Sequence, residues 1–398
     1  MGLARVASVA RTLGVDRFPG RVVTVGGTNG KGSTVVHLDT FLRTSGVSTG
    51  MFTSPHFVRY NERIQVDGAE VTDAALVAAF ERIEQARGTT TLTFFEYNLL
   101  AALVIFVERA VDVAVLEVGL GGRLDAVNLV DPDVAIVCSI GFDHRDYLGD
   151  TLDLIGAEKA GIFRAGRPAV LGTKELPQSV FAAIESLKAR PIVAGKDFRW
   201  SVASDGRWSY DGLSLSLRDL PPSALVGSIQ YRNAATALAA LEALGAVALT
   251  ESTVSAALRA VRLPGRFQTV RKGSVEWILD IAHNEPAAVI FAQHIREQPS
   301  RGRTLAVAGI LNDKDAGAIA RVLEREVDHW ILCALPGPRG SSAEDLARRM
   351  ALSPPMATLA ASVEEGCALA SATAKPGDRV LVFGSFHTVG PAMQWLGI

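Results

Sequence analysis

Short apolar runs alternate with segments of helical periodicity along most of the chain, a pattern that predicts repeated strand–helix–strand units around parallel sheet. Val22-Val23-Thr24-Val25 reads as a buried strand closed by a glycine-rich loop. The helix expected after it places Val35, Val36, Leu38, Phe41 and Leu42 on one side and stops at Gly46. Asp112 to Val118 and Val134 to Ile140 predict further central strands, and Tyr97 to Val107 an apolar helix preceded by Thr93-Phe94-Phe95-Glu96. Between Phe198 and Leu217 the period shortens to alternation, as in Leu213-Ser214-Leu215-Ser216-Leu217, which predicts a small antiparallel appendage. Helices near Asn233 to Leu244 and Glu251 to Val261 then lead to Leu263-Pro264-Gly265-Arg266, where proline and glycine punctuate the chain. Beyond it, strands near Val275–Ile281, Thr304–Ala308, His329–Ala334 and Arg379–Phe383 alternate with helices starting near Pro286, Ala316, Ser341 and Ser362. The expected fold class is α/β. Residues 1–263 form a domain with a mainly parallel sheet plus the appendage, and 264–398 a Rossmann-like α/β domain.

The length of 398 residues supports this division, since single hydrophobic cores stop growing well below it. A formal net charge of −2 supplies no electrostatic footprint for nucleic acid. Cys138, Cys333 and Cys367 lie far apart in apolar stretches, without metal-ligand spacing, and suit a reducing cytoplasm. Residues 1–15 read as a short helix rather than a targeting segment, and the longest apolar run, Leu99 to Val107, is too short to span a bilayer. No membrane partner is expected.

Candidate chemistry begins at Gly26-Gly27-Thr28-Asn29-Gly30-Lys31-Gly32-Ser33, between a strand and a helix. Glycines let backbone N–H groups converge on phosphate oxygens, the helix N-terminus adds its dipole, and Lys31 can reach the outer phosphates. The Walker pattern is broken twice: Val25 holds the first glycine position, and Gly32 separates Lys31 from Ser33. A glycine-rich turn that binds nothing is the alternative, and the strand–loop–helix context weighs against it.

This variant loop, TNGKGS, resembles that of the folylpolyglutamate synthase/dihydrofolate synthase family within the muramyl-ligase superfamily. The resemblance extends over nearly the whole chain: Thr53-Ser54-Pro55-His56 with Glu62-Arg63-Ile64, Glu117-Val118-Gly119-Leu120-Gly121-Gly122-Arg123-Leu124-Asp125-Ala126, Asp143-His144, and Glu158-Lys159-Ala160-Gly161-Ile162. Leu263-Pro264-Gly265-Arg266-Phe267, Asp280-Ile281-Ala282-His283-Asn284 and Gly384-Ser385-Phe386-His387 continue it. It implies a P-loop ATPase domain followed by a glutamate-ligase domain. The implied activity is ATP-dependent addition of L-glutamate to dihydropteroate or folate through an acyl phosphate, with the domains closing for the reaction.

The resemblance also implies roles. Thr28, Asn29, Gly30, Lys31, Gly32 and Ser33 cradle ATP phosphates; Ser54 and Glu117 hold one Mg²⁺ and His144 a second; a monovalent cation is a further candidate. Lys159 corresponds to a carbamylated lysine, which replaces an ammonium by a carboxylate near the metal. Arg266 contacts nucleotide phosphate, and Asn233, Asp280 and His283 the adenosine end. Phe95, Glu96, Asp125 and Ala126 line the acceptor pocket, and Lys31, His144, Lys159 and Arg266 carry the catalysis. A monomer is expected.

Local sequence leaves blander readings open for most of these residues. Glu117 can be a solvated strand-end carboxylate, His144 a loop histidine, Lys159 a surface lysine, Asn233 a helix N-cap, Asp280 a strand-end carboxylate and Phe95 a core aromatic. Two departures stand out. Glu285 intervenes between the His283-Asn284 pair and Pro286, where relatives commonly place proline directly. Met1-Gly2-Leu3-Ala4-Arg5-Val6 resembles a stretch that family chains reach only after about thirty further residues, part of which helps bind the pterin. Either the start is misassigned or the acceptor pocket is altered. Rival functions are a muramyl-type ligase on a UDP-linked precursor and a nucleotide-regulated binding protein. The lack of an evident extra N-terminal domain disfavours the first, and the joint presence of Lys31, Glu117, His144, Lys159 and Arg266 the second.

Overall fold

The computed structural model describes residues 2–398, so the Met1 end of the N-terminal stretch lies outside the described residues. The chain divides into two compact units, one comprising residues up to Ala224 together with Ile229–Arg262, the other Leu225–Ser228 with Leu263–Ile398.

The first unit is built on eight strands: β1 Arg21–Gly26, β2 Thr49–Phe52, β3 Ile64–Val66, β4 Ala69–Glu70, β5 Val113–Glu117, β6 Val134–Val137, β7 Pro168–Leu171 and β8 Arg190–Val193. They are ordered β4-β3-β2-β5-β1-β6-β7-β8. The six strands from β2 to β8 in this order are parallel, and β3 and β4 add antiparallel pairing at one edge. All five positions of β5 are buried, because helices cover both faces of the sheet and a central strand then has no solvent side to leave polar. Its register pairs Val25 with Glu117, so the carboxylate emerges where β1 enters the glycine-rich loop. That is the C-terminal edge of the parallel strands, where open α/β sheets bind ligands.

A separate three-stranded antiparallel sheet is formed by β9 Arg199–Val202, β10 Trp208–Asp211 and β11 Ser216–Leu220. The alternation at Leu213–Leu217 predicts strand three residues too early. Leu213 to Leu215 form the connecting turn instead, because Ser214 N–H and Leu215 N–H donate to the Glu242 carboxylate at 2.9 and 2.8 Å. The apolar helix also starts earlier than its pattern suggests, at Phe94, since Thr93 caps it and draws Phe95 and Glu96 into its first turn. The helix expected from Asn233 begins at Ile229, which places Asn233 in the helix interior, not at the cap.

In the second unit, β12 Gln268–Lys272, β13 Val275–Asp280, β14 Thr304–Ala308, β15 His329–Cys333, β16 Ala357–Ala360 and β17 Arg379–Phe383 follow the order β12-β13-β17-β14-β15-β16. Only β12 runs antiparallel. The α/β class expected from the sequence is therefore the observed one.

Candidate functional site

The glycine-rich loop is shaped by two left-handed glycines. Gly27 has φ 141° and Gly30 φ 91°, and a Cβ on Gly27 would sit 3.1 Å from Cys138 N, so no side chain fits there. The segment after β6 clamps the loop from behind. Thr28 N–H donates to Ser139 O at 2.8 Å, Thr28 Oγ1 accepts from Gly141 N–H at 3.0 Å, and Asn29 N–H donates to Ser139 Oγ at 3.2 Å. Thr28 and Asn29 thus hold the loop in shape, while Gly30, Lys31, Gly32 and Ser33 begin the helix Lys31–Thr44 at its positive end. Behind Ser33, the buried His37 ring spans from Ser33 O (2.7 Å) to Ser223 Oγ (2.9 Å), and burial lowers its pKa to about 4. A neutral imidazole is therefore the strut that fixes the first helical turn. Its i, i+4 spacing from Ser33 was the available signal, easily taken for an ordinary core position.

Two lysines converge on one carbonyl of this loop. Lys31 Nζ donates to Gly27 O at 3.1 Å and to Thr28 O at 3.3 Å, and Lys159 Nζ donates to Gly27 O at 3.0 Å. Lys159 is buried, which corrects the surface-lysine alternative. Burial, followed by the neighbouring Lys31 charge, lowers its pKa to about 7, against the opposing pull of Asp143 and Asp125. An uncharged amine is thereby accessible near neutrality.

Glu117 is buried, not solvated, and its Oε2 accepts from Ser54 N–H at 3.3 Å. His144 has left-handed backbone (φ 50°), its N–H donates to Asp143 Oδ1 at 2.9 Å, and its Nε2 lies 3.8 Å from Asp143 Oδ2. Among the described residues no cluster of three or more His, Cys, Asp or Glu forms a self-sufficient metal cage. A buried carboxylate beside a serine at the phosphate loop suits a hard cation that keeps waters and shares phosphate oxygens.

Two residues beyond Glu117 in the chain, the Phe95 ring and the Asp125 carboxylate stand over the same glycine, Gly119. A Cβ on Gly119 would lie 2.7 Å from the ring and 3.3 Å from Asp125 Oδ2. Phe52 meets Phe95 edge-on at 5.6 Å. Asp125 accepts from Leu120 N–H (2.8 Å) and Val127 N–H (2.9 Å), and caps the short turn that begins at the buried Ala126. Burial outweighs these bonds and raises its pKa to about 6. Glu96 differs from its neighbour. Its Oε2 accepts from Thr93 N–H at 2.6 Å in a capping box and lies 3.6 Å from Arg5. The Glu96 carboxylate thus serves as a helix cap. Glu96→Ala should lower thermal stability by about 1 kcal/mol and leave acceptor KM unchanged, measured by melting and steady-state kinetics.

Arg63, quoted above only as part of a motif, is a further candidate. It is buried, its Nε donates to His56 Nδ1 at 2.7 Å, and its guanidinium stacks 5.2 Å from the exposed Phe94 ring. Asn233 is buried in its helix, accepts no cap role, and its Nδ2 donates to Gln230 Oε1 at 3.0 Å. Its Oδ1 stands 3.0 Å from where a Cβ of Gly30 would be, which puts it against the phosphate loop.

Within the second unit, Asp280 Oδ2 accepts from Phe267 N–H and Oδ1 from Ala282 N–H, both at 2.8 Å. Burial pushes its pKa up, and the adjacent Arg266 charge opposes this. His283 Nδ1 lies 2.8 Å from Ile281 O. Asn284 caps the helix Glu285–Glu297 through Oδ1, which accepts from Ala287 N–H at 2.9 Å; Pro286 thus occupies the helix start despite the inserted Glu285. Arg266, Asp280 and His283 form one neighbourhood at the C-terminal end of β13.

Known proteins resemble this chain in sequence and in fold. The Mur ligase middle domain matches residues 25–241, and the Mur ligase glutamate ligase domain matches 265–386. The dihydrofolate synthase/folylpolyglutamate synthase of Escherichia coli K12 is 43% identical over 394 residues, covering 99% of this chain and 91% of that protein. The structure of E. coli FolC in complex with DHPP and ADP superposes with a TM-score of 0.94 at 42% identity, covering 100% of this chain and 93% of that one. A bifunctional folylpolyglutamate synthase/dihydrofolate synthase with Mn, AMPPNP and L-glutamate bound gives 0.93 at 39% identity, covering 100% and 95%. With identity of this order along the full length of the chain, and Mur ligase models matching both units, the chain belongs to the dihydrofolate synthase/folylpolyglutamate synthase family.

Proposed function

We propose that the chain is an ATP-dependent ligase that joins L-glutamate to the carboxylate of dihydropteroate and of folates. The observation that carries this reading is the convergence of Lys31, Lys159 and Glu117 on a glycine loop, beside an aromatic–carboxylate pair at Phe95 and Asp125. In the reaction an acceptor carboxylate oxygen attacks the γ-phosphorus of ATP, the bond to the β–γ bridging oxygen breaks, and ADP leaves. The glutamate amine then attacks the acyl-phosphate carbon, inorganic phosphate departs, and the amine loses its proton as the amide forms. Such transfer depends mainly on positioning and charge neutralisation. Lys31 exchanges its two loop carbonyls for outer phosphate oxygens. Ser54 and Glu117 would hold one Mg²⁺ and His144 a second, whose role is to neutralise phosphate charge, with a monovalent cation as a further ligand. Arg266, Asp280, His283 and Asn233 are assigned to the nucleotide.

Lys159 is assigned as carbamylated. Its neutral Nζ attacks the carbon of CO₂, a C–N bond forms, one C=O bond becomes C–O⁻, and the amine proton passes to solvent. The product replaces a cation that repels Lys31 by an anion that attracts it. The chain acts as a cytoplasmic monomer on small molecules. Among the described residues no helix is long and apolar enough to cross a membrane.

ATP, Mg²⁺ and glutamate supplied with dihydropteroate or tetrahydrofolate, with products read by mass, test the reading. Glutamylated product from neither acceptor would overturn it. The pocket has its own test. The Phe95 face suits a flat heterocycle and the Asp125 carboxylate its donor edge. Phe95→Ala and Asp125→Ala should each raise the KM for dihydropteroate about tenfold to a hundredfold, with the KM for ATP nearly constant. Because Asp125 is neutral below about pH 6, wild-type KM should also climb as pH falls through 6, and this climb should vanish in Asp125→Asn. Wild-type dihydropteroate kinetics in both alanine variants would leave only polyglutamylation standing.

A further inference from the structure

Strands β7 and β8 end on a cavity of ≈ 390 Å³, lined among others by Thr173, Lys174, Glu175, Arg199, Trp200 and Arg232. It occupies the C-terminal edge of the parallel strands, the ligand-bearing edge of such sheets. None of Lys31, Glu117, Lys159, Phe95 or Asp125 lines it. Three cations face one carboxylate there.

Arg232 is the informative member. It sits on the helix Ile229–Leu244, next to Asn233, and among the described residues its guanidinium makes no hydrogen bond and no ion pair; only its backbone carbonyl is engaged, by Thr236 Oγ1. Burial pulls its pKa down with only the Cys138 thiol opposing. Arg232 is half-buried; stripping even part of the water from a guanidinium without a partner is costly, and proteins ordinarily supply a carboxylate or leave the group in water. Arginine's planar fork matches carboxylate and phosphate oxygens two at a time. Lys174 and Arg199 are exposed and add positive potential, and the half-buried Trp200 indole gives an apolar wall. The cavity also has a physical link to the phosphate loop. A Cβ on Gly172 would lie 2.6 Å from Cys138 O, and the opposite side of Cys138 backs Gly27 and Gly30.

We propose that this cavity is a second oxyanion site, in which Arg232 holds a phosphate or carboxylate of a small ligand and Lys174 and Arg199 attract it. The oxyanion comes either from a free ion, such as the inorganic phosphate released by ligation, or from the phosphate chain of a nucleotide. Inorganic phosphate and ADP are the probes, and binding is read by calorimetry and by tryptophan emission on the whole chain. Phosphate should change the emission, and Trp200→Phe should remove that change. Arg232→Gln should weaken phosphate binding at least about tenfold, the loss expected when a charged hydrogen-bond partner goes. Lys31→Ala should leave this affinity unchanged, which separates the cavity from the loop and makes the test independent of the ligase assignment.

If saturating ADP displaces the phosphate, the nucleotide is the source; if both bind together, the site serves a free oxyanion. Either result supports the site. Absence of phosphate binding at tens of millimolar would overturn the proposal, as would phosphate affinity that survives Arg232→Gln or disappears in Lys31→Ala. Should Arg232→Gln fail to fold by thermal melting, the Lys174→Ala/Arg199→Ala variant at exposed positions decides: it should weaken phosphate binding several-fold and flatten its salt dependence, and unchanged binding would count against the site.

Discussion

Replacing Lys31 by alanine is expected to lower ligation at saturating ATP by about 10²–10³-fold or more, the loss typical of removing one preorganised group that meets developing charge. The geometry gives this loss two sources. The first is direct, since Lys31 Nζ is held over the loop by Gly27 O and Thr28 O and is the loop's own cation. The second runs through Lys159, whose pKa is lowered partly by the Lys31 charge. Without that charge the Lys159 pKa rises, its amine stays protonated at neutral pH, and less of it reacts with CO₂. The fold should survive, because position 31 begins a helix and alanine is the best helix former. Circular dichroism and melting should therefore match wild type while turnover collapses. Turnover that persists in a folded Lys31→Ala enzyme would remove the phosphate-loop assignment.

The central strands and the loop were legible because their signals are local. A buried parallel strand must be apolar throughout, as Val113 to Leu116 are, and a loop that bends twice through left-handed backbone needs glycines at 27 and 30. What was not legible depends on partners distant in sequence. Glu96 looks like a pocket carboxylate beside Phe95, yet Thr93 three residues earlier recruits it as a cap. Leu213 to Leu215 alternate like a strand, but a carboxylate at Glu242 gathers their amides into a turn. Asn233 looks like a helix start because the four residues before it carry no helical stripe, while the helix in fact runs through it. The unpartnered fork of Arg232 could not be seen at all, since an arginine in a helix pattern normally implies solvent.

Lys159 gives the second large expectation and joins these levels. A helix-borne lysine is ordinarily exposed, but this one is buried against Gly27 O with another lysine on the same carbonyl. An ammonium there suffers both desolvation and repulsion, and its pKa falls from 10.5 to about 7. The sign follows from which form reacts. Only the neutral amine attacks CO₂, so at fixed dissolved CO₂ carbamylation should increase as pH rises through 7 and be small below 6. Carbon-13 NMR of protein equilibrated with labelled bicarbonate should show a carbamate resonance with that pH dependence, absent from Lys159→Ala. The alanine variant should lose about 10²-fold or more in turnover, because the negative oxygen near the proposed metal is gone. Acetate or formate, small enough to enter the space left by the side chain, should restore part of the activity without raising wild-type rates. Rescue by a carboxylate distinguishes a missing charge from a damaged core, since a packing defect has no reason to respond to formate and not to an equal-sized neutral amide. Full activity of Lys159→Ala, or a bare ammonium in a nucleotide-bound crystal grown with bicarbonate, would reduce Lys159 to a buttress of the Gly27 carbonyl.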